Sequence, residues 1–290
     1  MSRFCYLLLL CSLVGMLSAQ GQLLEKEVIR STHLGEEVHY SIYLPSGYER
    51  HTIAYPVLYL LHGYTDDDSG WTQFGEAHLI ADQLMGNGEV PPMIIVMPDA
   101  GVSWYINSDE GEVPYEDFFI KELIPHIEAT YRVRSDRQFR GLAGLSMGGY
   151  GAMIYAVKHP ELFSATCPLS AAIYTDAQVL GNDQGSWDYV FGPPFTEGAV
   201  GQGRLNEHYR ANSVIDIVQE GDPERFENLG IYIDCGDDDF LVDGNFRLSQ
   251  VLREQGIDHE FRMRDGGHTW SYWRSALPEV LKFVGQRFRR

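Results

Sequence analysis

Short, mostly apolar runs recur along this chain, several of them without in–out alternation: YPVLYLLHG, PPMIIVMPDAG, RQFRGLAGLS, LFSATCPLSAA, LGIYIDCGD and IDHEFRMRDGG. A strand that is apolar at successive positions is buried on both faces, as in a parallel sheet covered by helices. The segments between the runs have helical spacing. YEDFFIKELIPHIEATY sets Phe118, Phe119, Leu123, Ile124 and Ile127 along one broad face, with Pro125 predicted to kink or interrupt it. NFRLSQVLREQG stops at Gly256, and PEVLKFVGQRF closes the chain. Strands alternating with helices predict an α/β fold, its central sheet mainly parallel and its helices on both faces. Upstream, KEVIRSTHLG and EEVHYSIYLPSGY alternate, predicting an antiparallel hairpin with Gly35 in its turn. The stretch from about 172 to 228, rich in Gly and Asn and holding Gly192-Pro193-Pro194, breaks the alternation. It reads as a lid-like insertion above the sheet.

Where RQFRGLAGL ends and MGGYGAMIYAVKH begins, Ser146 stands between Gly144 and Gly148. A strand feeding directly into a helix needs a cramped turn, and glycines there let strand and helix cross closely. The arrangement G-x-S-x-G lifts a serine hydroxyl clear of its neighbours at a helix N-terminus, where amides and the helix dipole favour developing negative charge. A serine hydroxyl needs an adjacent base to act as a nucleophile. With this elbow an acid and then a histidine follow in chain order. His268, in RDGGHTW, stands in a loop after the last strand-like run, whereas His159, His208 and His259 read as surface or packing residues. The acid should end the preceding strand, where Asp237, Asp238 and Asp239 all qualify and spacing does not choose among them. Gly63 in LYLLHGYTDD lets the backbone bend toward the reaction centre, so the amides of Tyr64 and Met147 are the expected oxyanion donors. His62 reads as a support of that loop.

At 290 residues and 44% hydrophobic, the chain can build one large α/β domain over residues 20–290. Its formal net charge of -19 argues against nucleic acid and anionic lipid as partners. Residues 1–19 differ in kind: Arg3, then an apolar run from Phe4 to Leu17, then Ser18-Ala19. This is the pattern of a secretory signal peptide, and the protein is expected to be secreted or periplasmic with no membrane attachment afterwards. Removing the signal removes Cys5 and Cys11, leaving Cys167 and Cys235, expected as buried thiols although an exported protein could join them. Nothing in the residues bears on oligomeric state.

YPVLYLLHG, GWTQFG, PPMIIVMPD, YEDFFIKELIPHIEATYRV, GLAGLSMGGYGAM and DGGHTW together resemble the putative-esterase family of α/β-hydrolases. That family includes S-formylglutathione hydrolase (esterase D), tributyrin esterases, and the feruloyl and acetyl xylan esterases of carbohydrate esterase family one. The resemblance runs from about residue 28 to the C-terminus. It implies an α/β-hydrolase fold, a Ser-Asp-His triad of Ser146, Asp239 and His268, and neither metal nor organic cofactor. The acid is assigned by the family's G-x-x-D spacing, which leads from Gly236 to Asp239. It implies hydrolysis of an acyl ester through an acyl-enzyme, the export signal favouring an ester met outside the cytoplasm. Feruloyl or acetyl esters on plant polysaccharide are the expected substrates; alternatives are small acyl esters of the tributyrin type, acyl transfer as in the related mycolyltransferases, or polysaccharide binding without catalysis. Aromatic surface suits sugar rings and cinnamoyl groups. Trp104 and Tyr105, in a loop resembling the family's pocket loop, with Trp71, Trp187 and Trp270, are therefore the expected substrate contacts.

Overall fold

The computed structural model describes residues 20–289. The signal-peptide reading of residues 1–19, including Cys5 and Cys11, lies outside the described residues. Eight strands form one sheet: β1 (Gln22–Arg30), β2 (Glu37–Leu44), β3 (Val57–Leu61), β4 (Ile94–Pro98), β5 (Arg140–Leu145), β6 (Ala165–Leu169), β7 (Gly230–Gly236) and β8 (Glu260–Arg264), in the order β1-β2-β4-β3-β5-β6-β7-β8. β1 pairs antiparallel with β2, and β2 antiparallel with β4; the remaining pairings are parallel. Every residue of β3, β4, β5, β6 and β7 is buried, as their unbroken apolar runs require. The hairpin is longer than its alternating pattern: β1 begins at Gln22 and carries an irregularity between Leu24 and Glu27 that hides its first turn from a period-2 reading.

The helices that join the parallel strands lie on both faces. Ala77–Gly86 forms α1. Tyr115–Phe118, Phe119–Leu123 and Ile124–Thr130 run on as one helix, α2, whose middle span is π-helical. The expected disturbance at Pro125 takes this form. The ring has no N–H to give and crowds the preceding turn, and the wider turn just before it accommodates both. Met147–Lys158 forms α3, Val242–Glu254 forms α4 and Trp270–Phe288 forms α5. One core cluster gathers side chains of α2, α3 and α4 with one face of the sheet; a second gathers α1 and α5 with the other. α3 is buried from Met147 to Val157, so the helix after Ser146 runs through the middle of the protein. α5 starts sooner than its periodicity suggests, at Trp270, capped by the Thr269 hydroxyl accepting from the Tyr272 amide.

The segment between β6 and β7, residues 170–229, is a chain of short helices rather than irregular coil, among them Asp176–Gly181, Glu207–Ala211 and Val214–Glu220. Gly192-Pro193-Pro194 lies in the helical turn Gly192–Phe195. Arg204, only 3% exposed, ties the segment together. Its guanidinium donates to the carbonyls of Val179, Asn182 and Ala199 and to Gln184 Oε1, and sits over the Trp187 ring. Cys167 and Cys235 are buried free thiols on neighbouring strands. Burial pushes both up, Cys235 to about 12, so neither is a ready nucleophile.

Candidate active site

Ser146 joins β5 to α3 with φ 55° and ψ -118°, a conformation that L residues rarely adopt. The surroundings impose it. A Cβ on Gly144 would stand 2.3 Å from the Gly148 carbonyl oxygen, and one on Gly148 would stand 2.4 Å from that of Leu61. Only glycine lets β3, β5 and α3 approach this closely. The Ser146 amide donates to Leu169 O at 2.9 Å and its carbonyl accepts from Ala172 at 2.9 Å, pinning both sides of the bend to the end of β6.

Two distant loops complete the arrangement. His268 Nε2 lies 3.0 Å from Ser146 Oγ, and His268 Nδ1 lies 2.9 and 3.1 Å from the two carboxylate oxygens of Asp239. An ionised carboxylate only accepts, so Nδ1 carries the proton and Nε2 is left to accept from the serine hydroxyl. A Cβ on Gly236 would stand 2.0 Å from Gly266 O, so the loop after β7 and the loop after β8 touch backbone to backbone, which brings acid and base together. Of the three neighbouring acids, Asp237 and Asp238 are exposed, and Asp237 accepts from the Gly266 amide instead. Asp239 is 2% exposed. Burial alone would raise its carboxyl, but hydrogen bonds from His268, the Leu241 amide and Ser170, with the imidazole charge, hold it below the usual carboxylate range. Ser170, a contact no sequence motif signals, in turn accepts from Trp273 Nε1 at 3.0 Å.

The end of β3 forms the facing wall. Among the described residues the Tyr64 amide has no acceptor within the protein. Met147 is the first residue of α3, so its amide has no helical carbonyl one turn back. The loop after β3 lies against the serine: a Cβ on Gly63 would be 3.5 Å from Ser146 Cβ. His62 does support this loop. Its Nε2 accepts from the Ala100 amide at 2.8 Å, so Nδ1 bears the proton and donates to Gly63 O at 2.8 Å. The Gly63 carbonyl and the Tyr64 N–H share one peptide plane and point oppositely, so holding the carbonyl aims the amide.

The aromatic residues expected to meet substrate are placed otherwise. Trp71 is 1% exposed and donates to Leu61 O; Tyr105 is 0% exposed and donates to His62 O. Both therefore donate to carbonyls at the end of β3. Trp104 is buried and donates to Val190 O; Trp187 is buried inside the insertion and donates to Thr196 O. The small cavity beside Trp104, about 20 Å³, holds roughly one water. These four are supports rather than contacts, and the correction has a physical cause: each indole or phenol finds its polar partner in a neighbouring backbone, which draws it inward. Trp270 alone keeps partial exposure, edge-on to Trp71 and against Phe74. Two exposed aromatic residues that composition did not single out pack on the loops of the site. Phe240, 68% exposed, packs on the His268 ring, and Tyr189, 72% exposed, packs edge-on against Tyr64, whose hydroxyl donates to Tyr189 O.

The family model described as "Putative esterase" matches residues 31–284. The chain belongs to this esterase family. A solved ferulic acid esterase is 35% identical and superposes with a TM-score of 0.80, over 93% of this esterase and 99% of that chain. An acetyl esterase of Caldicellulosiruptor saccharolyticus is 27% identical over 79% of this chain and 83% of its own length. A xylanase/feruloyl esterase of Xylanibacter ruminicola is 33% identical over 52% of this chain, which spans 22% of that longer protein. Family, relatives and fold make this esterase a carboxylic-ester hydrolase of the α/β-hydrolase type.

Proposed function

We propose that this esterase is an exported serine carboxylesterase that removes feruloyl or acetyl groups from plant polysaccharide through an acyl-enzyme. The observation that carries the chemistry is the unbroken chain of hydrogen bonds from Ser146 Oγ through His268 to Asp239. Ser146 Oγ attacks the ester carbonyl while His268 Nε2 takes its proton, and Asp239 holds the imidazole in the tautomer this needs. The amides of Tyr64 and Met147 hold the oxyanion; one such donor contributes on the order of 3 kcal/mol to lowering the barrier. His268 returns the proton to the departing alcohol, and water then clears the acyl-enzyme by the same steps in reverse roles. The substrate class is supported by the relatives named as acetyl, feruloyl and ferulic acid esterases, and export by the pattern of residues 1–19. The insertion would act as a lid.

A fluorophosphonate probe should label the wild type at Ser146 and leave Ser146→Ala unlabelled; a folded but unlabelled wild type would defeat the mechanism. A panel of acetyl, butyryl and feruloyl esters, with feruloylated arabinoxylan fragments, names the substrate. A tenfold preference corresponds to about 1.4 kcal/mol of differential transition-state binding. Adding alcohol acceptors to that panel separates hydrolysis from acyl transfer.

A further inference from the structure

Phe240 is a large apolar side chain left 68% exposed, with its ring centroid 4.6 Å from that of His268. A single exposed phenylalanine is ordinary on a protein surface. One that leans on the imidazole hydrogen-bonded to the serine hydroxyl is not placed by core packing. Its backbone is already held from both sides, by Asp239 in its buried pocket and by the Leu241 amide donating to the Asp239 carboxylate. The ring could turn to solvent without disturbing either. In the mechanism proposed above, the Tyr64 and Met147 amides receive the carbonyl oxygen.

The proton path assigns the side of the substrate that Phe240 borders. In acylation the bond from Ser146 Oγ to the carbonyl carbon forms and the bond from that carbon to the alcohol oxygen breaks. The serine proton passes to His268 Nε2 and from there to the departing oxygen. The alcohol must therefore lie against His268, whereas the acyl oxygen lies toward the two amides. A ring tilted against that of His268 flanks the alcohol. The same two loops, after β7 and after β8, carry three exposed carboxylates, Asp237, Asp238 and Asp265, with one oxygen of each within 4.8 Å of the others. An aromatic face beside hydroxyl acceptors suits a neutral sugar and repels an anionic one. Building on the ester-hydrolase reading above, we propose that Phe240 is the platform on which the ring of the leaving alcohol, a neutral sugar, stacks, and so sets specificity for the alcohol rather than for the acyl group.

The test holds the acid constant and varies the alcohol: methyl, benzyl and arabinosyl ferulate, on wild type, Phe240→Ala and Phe240→Trp. The expected result is that Phe240→Ala loses at least tenfold in kcat/KM on the arabinosyl and benzyl esters relative to the methyl ester, and that Phe240→Trp keeps the wild-type ratios. Deacylation, followed after a single turnover, should proceed at the same rate from all three esters and change no more than hydrolysis of the methyl ester does, because the alcohol has already left. A loss of the same size on all three esters, matched by equally slow deacylation, would mean that the ring serves only the imidazole and overturns the proposal. Failure of the polysaccharide reading is separate: it shows in the wild type, as arabinosyl ferulate turned over no faster than methyl ferulate. The benzyl-to-methyl ratio of Phe240→Ala still tests the platform in that case.

Discussion

At Ser146 the backbone is held in a conformation that suits glycine and disfavours a side chain, at a cost on the order of 1–3 kcal/mol. Stability and activity should therefore part company at this position. Ser146→Gly is expected to be inactive yet to unfold at a higher denaturant concentration than Ser146→Ala, which keeps the strain; equal midpoints would mean that the bend is relaxed. Tyr105 offers a second test. Its hydroxyl contributes one buried hydrogen bond, to His62 O, so Tyr105→Phe leaves that carbonyl unpaired and should lower unfolding free energy by about 1–3 kcal/mol. The kcat should fall severalfold with KM little changed, because the strand end that aims the Tyr64 amide loosens. A variant that loses stability but keeps kcat would separate the brace from the chemistry. Ser146, His268 and the strand end at Gly63 were legible as residue types in order along the chain, since each is demanded by a bond-making role. The roles of Trp71, Tyr105 and Ser170 were not, because they depend on which carbonyls the folded sheet leaves without partners.

Among elements, the segment between β6 and β7 departs furthest from what its composition predicts. Its Gly, Asn and Pro content suggested loop; instead Thr175, Asp183, Asn206 and Ser213 are N-caps of short helices, Asn206 being one of the residues that had suggested loop. The strands were readable because burial on both faces leaves a continuous apolar signature, whereas a helix of five residues leaves almost none. Side chains outside this segment hold it by its carbonyls, among them Tyr64 at Tyr189 O, Trp104 at Val190 O and Tyr150 at Asn212 O. Trp104 also packs against Phe191 and Phe195, but Tyr64 holds mainly by its hydroxyl and one edge contact. Tyr64→Phe should therefore raise amide hydrogen exchange across residues 184–195 while the sheet stays protected. Arg204→Met should go further, since it takes a donor from four acceptors and leaves Asn182 O and Gln184 Oε1 without one, and should unfold the segment locally; unchanged exchange in both variants would mean that neither side chain holds the segment.

Across the whole molecule, two buried acids pull in one direction with pH. Burial would raise the carboxyls of Asp239 and Glu116, yet their partners hold each below its ordinary value: His268, the Leu241 amide and Ser170 for Asp239, and His159 and Lys158 for Glu116. A carboxyl lowered in the folded state contributes stability that is present above its unfolded value and lost as pH falls through the folded one. Unfolding free energy should thus be flat down to about pH 5 and fall below about pH 4, and Glu116→Gln should shrink that acid-side slope; a slope unaltered by this change would remove Glu116 from the account. The three segments that meet at the site come from unequal parts of this architecture. Ser146 follows β5, flanked by strands on both sides, and Asp239 follows β7, also paired on both sides, but His268 hangs from β8, which pairs with β7 alone and leaves most of its residues open to solvent. On warming, the outermost ribbon should fray first and carry the imidazole away from its partners. Turnover would then cease at a temperature where most of the fold is still intact, and would return on cooling, so that heat silences this esterase reversibly well before it ruins it.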